Sequence, residues 1–228
     1  MSGGPRTVIA IDGPAASGKS STAQWVAERL AFRHVDSGSL YRGLTAAMLR
    51  TGATPERWTG ASLLEQGPRV ALRPETTSFT VLLDGEPSEE EIRGSRVTEH
   101  VSQVARMPEV RVWVNDRVRE AARSHDVVVD GRDMGTAVFP DASLKIFLIA
   151  DPWERARRRL VQRLGRRPLD AEIAEETDQI VTRDARDATQ TVQAADAVLL
   201  DTTFLTQEEQ VERIVALARA VTHRLHGT

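Results

Sequence analysis

The sequence predicts an α/β protein: a parallel sheet with helices packed on its faces. Three observations predict it. Continuous apolar runs recur along the chain, "TVIAID" at 7–12, "VVVDG" at 127–131, "LKIFLIA" at 144–150 and "AVLLD" at 197–201. Runs that are continuous rather than alternating mark strands buried on both faces. Amphipathic helical patterns separate them, over 20–31, 97–124, 152–164 and 207–225, and strands alternating with helices imply parallel pairing. Finally, the first run leads directly into "GPAASGKSS" at 13–21, a turn of small residues that opens a helix.

That stretch fits G-x-x-x-x-G-K-[ST] in its required strand–loop–helix setting. Glycines let the backbone curl until several N–H groups converge on phosphate oxygens. The helix that begins near Lys19 points its positive end at the same place. Lys19, one of only two lysines in the chain, reaches the β- and γ-phosphates, and the Ser20 hydroxyl is suited to Mg²⁺. Gly13, Pro14, Ala15, Ala16, Ser17, Gly18, Lys19, Ser20 and Ser21 are therefore the expected ATP-contacting residues of a P-loop NTPase fold. The bland alternative is a small-residue turn.

Composition bounds the rest. The 228 residues accommodate one large domain, or one domain with an inserted lobe. With no cysteine there is no disulfide and no thiolate metal site. The longest apolar runs are far shorter than the ~20 residues a membrane helix needs. The "MSGGPRT" start lacks the apolar core of a signal peptide, so a cytoplasmic protein is expected. A net charge of −3 argues against a general nucleic-acid binder.

Helix starts are marked at Asp151-Pro152-Trp153-Glu154, with an acid at the N-cap and proline at N1, and at Thr206–Glu209, a capping box. Residues 63–90 read differently. "RVALR" and "FTVLLDGEPS" are small strands, and Asp84-Gly85 signals a hairpin. This segment is an inserted lobe, either a surface feature or a substrate-binding element.

A P-loop names a triphosphate but not its fate. A guanine-reading NKxD is absent. The second acidic strand end continues as Gly131-Arg132-Asp133 rather than with a catalytic acid, which favours transfer to a bound acceptor. Ligands of open parallel sheets bind beyond the carboxyl ends of strands, so Arg132 offers a phosphate fork there and Asp133 a polar acceptor. Asp130 is placed to orient Mg²⁺ through water. Arg42, one helical turn past "HVDSG", can hold an anion or stand as a surface arginine. Arg183 and Asp187, four apart on one helix face, read from spacing alone as an intrahelical ion pair.

The tract "RARRRLVQRLGRR" at 155–167 holds seven arginines and no acid. Arg155, Arg159 and Arg163 share a face by i, i+4 spacing. Unbalanced positive charge calls for an anion: a phosphoryl group in transit, which spreads charge over its equatorial oxygens, or RNA. No aromatic residue interleaves the tract, so base stacking is unsupported. The five histidines (His34, His100, His125, His223, His226) show no ligand spacing and read as surface or core packing. The four tryptophans (Trp25, Trp58, Trp113, Trp153) read as helix packing residues.

Together these residues resemble the bacterial cytidylate kinases. The matching stretches are "IAIDGPAASGKSSTA", "DSGSLYR", "SQVARMPEVR", "VVVDGRDMGTAVFPDASLKIFLIA", "ERARRR", "TRDARD" and "AADAVLLDTTFLT", in order over nearly the whole chain. "DGRDMGT" with "FPDA" is the most specific and the P-loop the least. The resemblance implies a five-stranded parallel core over 1–62 and 97–228, an inserted monophosphate-binding lobe over 63–96 and an arginine-bearing lid near 155–170. It implies phosphoryl transfer from ATP to CMP or dCMP with Mg²⁺, for which Ser20 and Asp130 are already the expected residues, in a monomer; charge and run length leave no nucleic-acid or membrane partner expected. By the same resemblance Ser37, Ser102 and Arg111 recognise cytosine. Arg42 and Arg132 hold the CMP phosphate, Asp133 contacts the substrate, and Arg183 and Asp187 reach phosphate and pentose. Arg155, Arg158 and Arg159 match lid arginines, so Lys19, Arg132, Arg155 and Arg159 are the expected catalytic set. One departure stands out: the family's arginine after "RDxx" is Gln190 here, which predicts altered nucleoside binding. Rival readings are another small-molecule kinase on this fold, or a nucleotide-dependent RNA-binding switch.

Overall fold

A computed structural model describes residues 6–226. Its core is a five-stranded parallel sheet. The first strand, β1 (Val8–Asp12), is central, between β6 (Val127–Asp130) and β7 (Leu144–Ile149). Outside β6 lies β2 (Arg33–Asp36) and outside β7 lies β8 (Val198–Asp201), for an order β2-β6-β1-β7-β8. Both neighbours of β1 come later in the chain, so the chain's course reverses at its carboxyl end, where ligands of such sheets bind.

The strand pleat sends alternate residues to opposite faces, and the core divides accordingly. Ala10, Val127 and Val129 pack with Leu40, Leu44, Val110 and Val114 on one face. Ile9, Ile11 and Val128 pack with Ala23, Val26, Val211 and Ile214 on the other. The first face is covered by α2 (Ser37–Arg50), α5 (Ser95–Val104) and α6 (Pro108–Arg123). The second is covered by α1 (Lys19–Leu30) and α9 (Gln207–His226). Two expectations change here. The helix expected over 97–124 is two helices, because Pro108 lacks an N–H and holds Met107 extended at ψ 119°. β8 is not buried on both faces: it is an edge strand, with Val198 and Leu199 exposed.

Within 63–96 stands a second sheet, antiparallel, of β3 (Val70–Pro74), β4 (Phe79–Leu83) and β5 (Glu86–Pro87). Asp84 (φ 55°) and Gly85 (φ 87°) both take the left-handed region that this tight hairpin needs. The sheet is flanked by α3 (Gly60–Leu64) and α4 (Glu89–Arg93). Its Val70, Val81 and Leu83, with Ile92, join the first-face core, so this lobe and the main sheet share one apolar interior.

The arginine tract lies on α7 (Pro152–Leu164), which pairs with α8 (Asp170–Asp187) around Ala156, Leu160, Ile173 and Ile180. Ala16 of the P-loop packs against this small cluster. Asp151 caps α7 through the Trp153 and Glu154 amides, at 2.9 and 3.3 Å, and Thr206 and Glu209 form the expected reciprocal cap of α9. Trp58 is buried, but Trp25 and Trp153 are about 40% exposed, so packing explains only part of the tryptophan set. Among the described residues no helix is long and apolar enough to cross a membrane.

Candidate active site

The loop from Gly13 to Gly18 crosses the carboxyl end of β1. Gly13 runs so close to β7 that a Cβ would stand 2.3 Å from the Leu148 carbonyl oxygen, and Gly18 caps α1 at φ 86°. A cleft of about 850 Å³ opens above the loop. Ala16 to Ser21 form its floor, Arg157, Arg158 and Arg159 one wall, and Phe204 to Gln207 the other. The Lys19 ammonium rests on the Pro14 carbonyl at 2.6 Å. Burial, with help from the Arg132 charge, brings its pKa down to about 8.

A second cleft of about 240 Å³ lies beside the first. Ser37, Arg42, Ser102, Arg111, Arg132, Asp133, Arg183 and Asp187 all line it. The structure thus gathers into one cavity every residue expected on the acceptor side, from four separate chain segments. Ala16, Lys19, Ser20, Arg42, Arg93 and Arg183 line both clefts, so the two cavities meet at the P-loop lysine.

The second cleft is cross-braced by ion pairs. Arg132 Nη2 lies 2.8 Å from Asp187, and Arg183 Nε lies 3.6 Å from the same carboxylate oxygen. Arg132 Nη1 is buried without a hydrogen-bond partner in the described structure, an orphan donor of the kind a phosphate oxygen satisfies. Arg111 pairs with Asp133 and also donates to Gln190 Oε1 at 3.1 Å. The position where the family arginine is absent therefore holds an amide that orients Arg111. Arg42 donates to Thr98 Oγ1 and the Ile92 carbonyl, at 3.0 and 3.2 Å. Burial, reinforced by the Arg93 charge, lowers its pKa to about 10. Ser37 Oγ donates to the Asp130 carbonyl at 2.8 Å. Behind them, the buried Asp12 accepts the Met134 and Gly135 amides at 2.8 and 2.7 Å. It thereby pins the "GRDMGT" loop to the end of β1.

Ser20 Oγ donates to Asp130 Oδ2 at 2.6 Å. A hydroxyl and a carboxylate in contact beside the junction of the two clefts are hard oxygen donors. They suit Mg²⁺, which takes few protein ligands and completes its shell with water and phosphate oxygens. The other Asp130 oxygen meets His34 Nε2, also at 2.6 Å. This corrects the reading of His34 as ordinary packing: it belongs to a buried polar chain under the P-loop.

The arginine tract also requires correction. Its charges are not left for an anion alone, because acids beyond the tract answer them. Arg159 and Arg163 meet the buried Glu176 at 3.3 and 3.1 Å, Arg166 meets Glu172 at 2.6 Å, and Arg157 meets Glu154 at 2.8 Å. Arg158 instead donates to the Thr202 and Thr203 carbonyls. Arg155, expected in the catalytic set, is buried beneath the P-loop and lines neither cleft. It donates to the Ala15 carbonyl at 2.8 Å and pairs with Asp184 at 2.6 Å. Asp184 in turn accepts the Ala15 amide at 3.1 Å. Arg155 therefore braces the loop, whereas Arg158 and Arg159 line the first cleft.

Sequence reasoning passed over His34, Asp184 and Glu176. Each acts through a partner far along the chain, and nothing in local spacing signals it. Asp12 left a trace, as the one acid ending the first apolar run.

The family described as cytidylate kinase matches residues 9–220. Curated cytidylate kinases resemble the chain over nearly its whole length. That of Alkaliphilus oremlandii is 40% identical over 217 residues, covering 93% of this chain and 98% of the relative. That of Chlorobaculum tepidum is 41% identical over 227 residues, covering 94% and 93%. That of Chromobacterium violaceum is 42% identical over 212 residues, covering 91% and 93%. A phosphate loop, an adjoining arginine-lined acceptor cleft and this likeness lead to one conclusion: the chain belongs to the cytidylate kinase family.

Proposed function

We propose that the protein transfers the γ-phosphoryl group of ATP to CMP or dCMP, giving ADP and CDP or dCDP. The observation that carries this reading is the junction of the clefts: Lys19, Ser20, Arg42 and Arg183 line both. A donor phosphate on the loop and an acceptor phosphate on Arg132 would meet there. We propose further that it works as a cytoplasmic monomer on small-molecule substrates.

The chemistry needs no covalent protein intermediate. An oxygen of the CMP phosphate forms a bond to the γ-phosphorus. The bond from that phosphorus to the β,γ-bridging oxygen breaks, and ADP leaves with the electron pair. The protein contributes position and charge. P-loop amides and Lys19 hold the triphosphate. Arg132 and Arg42 orient the acceptor phosphate, and Arg183 supports them. Ser37, Ser102 and Arg111 face the cytosine, with Asp133 and Gln190 setting the Arg111 guanidinium. Asp187 holds Arg132 and reaches the pentose. Ser20 and Asp130 are the residues that would hold Mg²⁺, whose chemistry is to neutralise the β- and γ-phosphate oxygens. Residues 63–96 serve as the monophosphate-binding lobe and 155–170 as the lid, with Arg158 and Arg159 closing on the donor and Arg155 bracing the loop beneath. Closure keeps water from competing as acceptor.

The test is an ADP-release assay with ATP and Mg²⁺, offering CMP, dCMP, UMP and AMP in parallel and a control without acceptor. Turnover with CMP and dCMP well above UMP and AMP supports the reading. Equal turnover without acceptor would make the protein an ATPase. Silence with every acceptor would return the arginine tract to the RNA reading.

A further inference from the structure

Asp130 is 2% exposed, and both its carboxylate oxygens are engaged. Oδ2 accepts from Ser20 and Oδ1 from His34 Nε2, each at 2.6 Å. His34 is itself 8% exposed. Its place is set from two sides. It pairs with Val128 in the β2–β6 register, and its backbone N–H donates to the Thr77 carbonyl of the small lobe at 2.9 Å. The imidazole therefore approaches Asp130 from a rigid strand, on the side opposite the P-loop.

Rotation about the terminal bond of an aspartate is soft. A carboxylate held only by the Ser20 hydroxyl could turn away from the P-loop. A second, charge-assisted hydrogen bond to its other oxygen removes that freedom, as outer partners do for the groups that ligate metals. An ionised carboxylate only accepts, so Nε2 carries the donated hydrogen.

We propose that His34 is a positioning residue for phosphoryl transfer: it locks the Asp130 carboxylate with Oδ2 on Ser20 and so pre-shapes a divalent-cation corner beside the junction of the two clefts, where Ser20 lines both. The inference rests on the functional reading above. It adds a residue that touches neither nucleotide and acts through Asp130.

The experiment compares wild type, His34→Leu and His34→Gln by two readouts. The first is the Mg²⁺ concentration giving half-maximal turnover at saturating ATP and CMP. The second is the rise in Tm that Mg²⁺ adds to protein already saturated with the non-hydrolysable β,γ-methylene analogue of ATP, relative to the same sample with chelator. A hydrogen bond to a charged group corresponds to roughly a tenfold or larger effect. The half-saturating Mg²⁺ should rise by about that factor in His34→Leu, and the Mg²⁺-dependent part of the Tm rise should shrink. The rise given by the analogue alone should remain. His34→Gln, whose amide N–H falls near the position of Nε2–H, should restore both. A merely structural role lowers Tm in all samples alike and leaves the Mg²⁺ half-saturation where it was. That outcome overturns the proposal, as does a Mg²⁺ defect in His34→Leu that a folded His34→Gln fails to reverse. Should leucine not fold, His34→Met carries the same comparison. Wild-type protein without CMP-dependent turnover would defeat the functional reading, while the Tm readout, which needs only nucleotide binding, still judges His34.

Discussion

Arg132 Nη2 stands 2.8 Å from Asp187 Oδ2, joining the loop after β6 to the last turn of α8. Asp187 is 4% exposed and also faces Arg183, so one buried carboxylate orders two guanidinium groups on the acceptor wall. Replacing Asp187 with alanine leaves both half-buried cations without this anion. The KM for CMP should rise by at least about tenfold, the scale of a lost charge-assisted bond, while the KM for ATP changes little. Initial rates with each substrate varied in turn check this. Equal damage to both would place Asp187 in general stability instead.

Lys19 lines both clefts, and its ammonium is parked on the Pro14 carbonyl. Lys19→Ala should lower turnover by roughly a thousandfold or more, the scale of a removed electrostatic contact to a transferring phosphoryl group. The circular dichroism spectrum and Tm should stay close to wild type. Near-normal turnover would contradict the role given to the loop.

Asp12 supplies a pH test. Burial raises its pKa from 3.8 to about 6 even though two backbone amides oppose the shift. The folded state then holds this proton at a pH where the unfolded chain has lost it. Asp12 therefore lowers stability as pH rises from about 4 to about 6. Chemical denaturation across this window should show a smaller fall with pH, or a larger rise, in Asp12→Asn than in wild type. Parallel curves would refute the assignment.

Glu176 tests how α7 is held to α8. It is 2% exposed and answers Arg159 and Arg163 from α7. Both arginines are partly exposed and can return to water. Glu176→Leu should therefore stay within about 1 kcal/mol of wild-type stability, since an apolar isostere spares the burial of a charge. Glu176→Ala should cost about 2 kcal/mol through the cavity it leaves. Denaturant midpoints for the two variants decide it. A large loss in both would mean that the ion pairs, not packing, hold α7 to α8.

The parts legible in the sequence were those written in local pattern. The P-loop announces itself because phosphate binding needs glycine at Gly13 and Gly18 and a lysine beside them. The central strands show as continuous apolar runs because helices cover both faces of β1 and β6. Of the eight residues expected on the acceptor side, Arg132 and Asp133 followed from their place beyond a strand end and Arg42 was offered as an anion holder; the family resemblance supplied the roles of the rest, and the fold brings all eight into one cavity. What local pattern could not show was pairing at a distance. His34 meets Asp130 across the β2–β6 pair, and Arg155 finds Asp184 on the following helix. The tract at 155–167 looked unbalanced because its acids lie outside it, mostly on α8. Pro108 was visible in the sequence, but the amphipathic pattern on either side hid the break it makes between α5 and α6.

The most direct test of the central claim follows the phosphoryl group itself. The protein is incubated with ATP labelled on the γ-phosphorus, Mg²⁺ and CMP, and the products are separated. The account predicts label in the β-position of CDP, little in inorganic phosphate, and loss of labelled CDP in Arg132→Ala. Label appearing chiefly as inorganic phosphate, whether or not CMP is present, would contradict it.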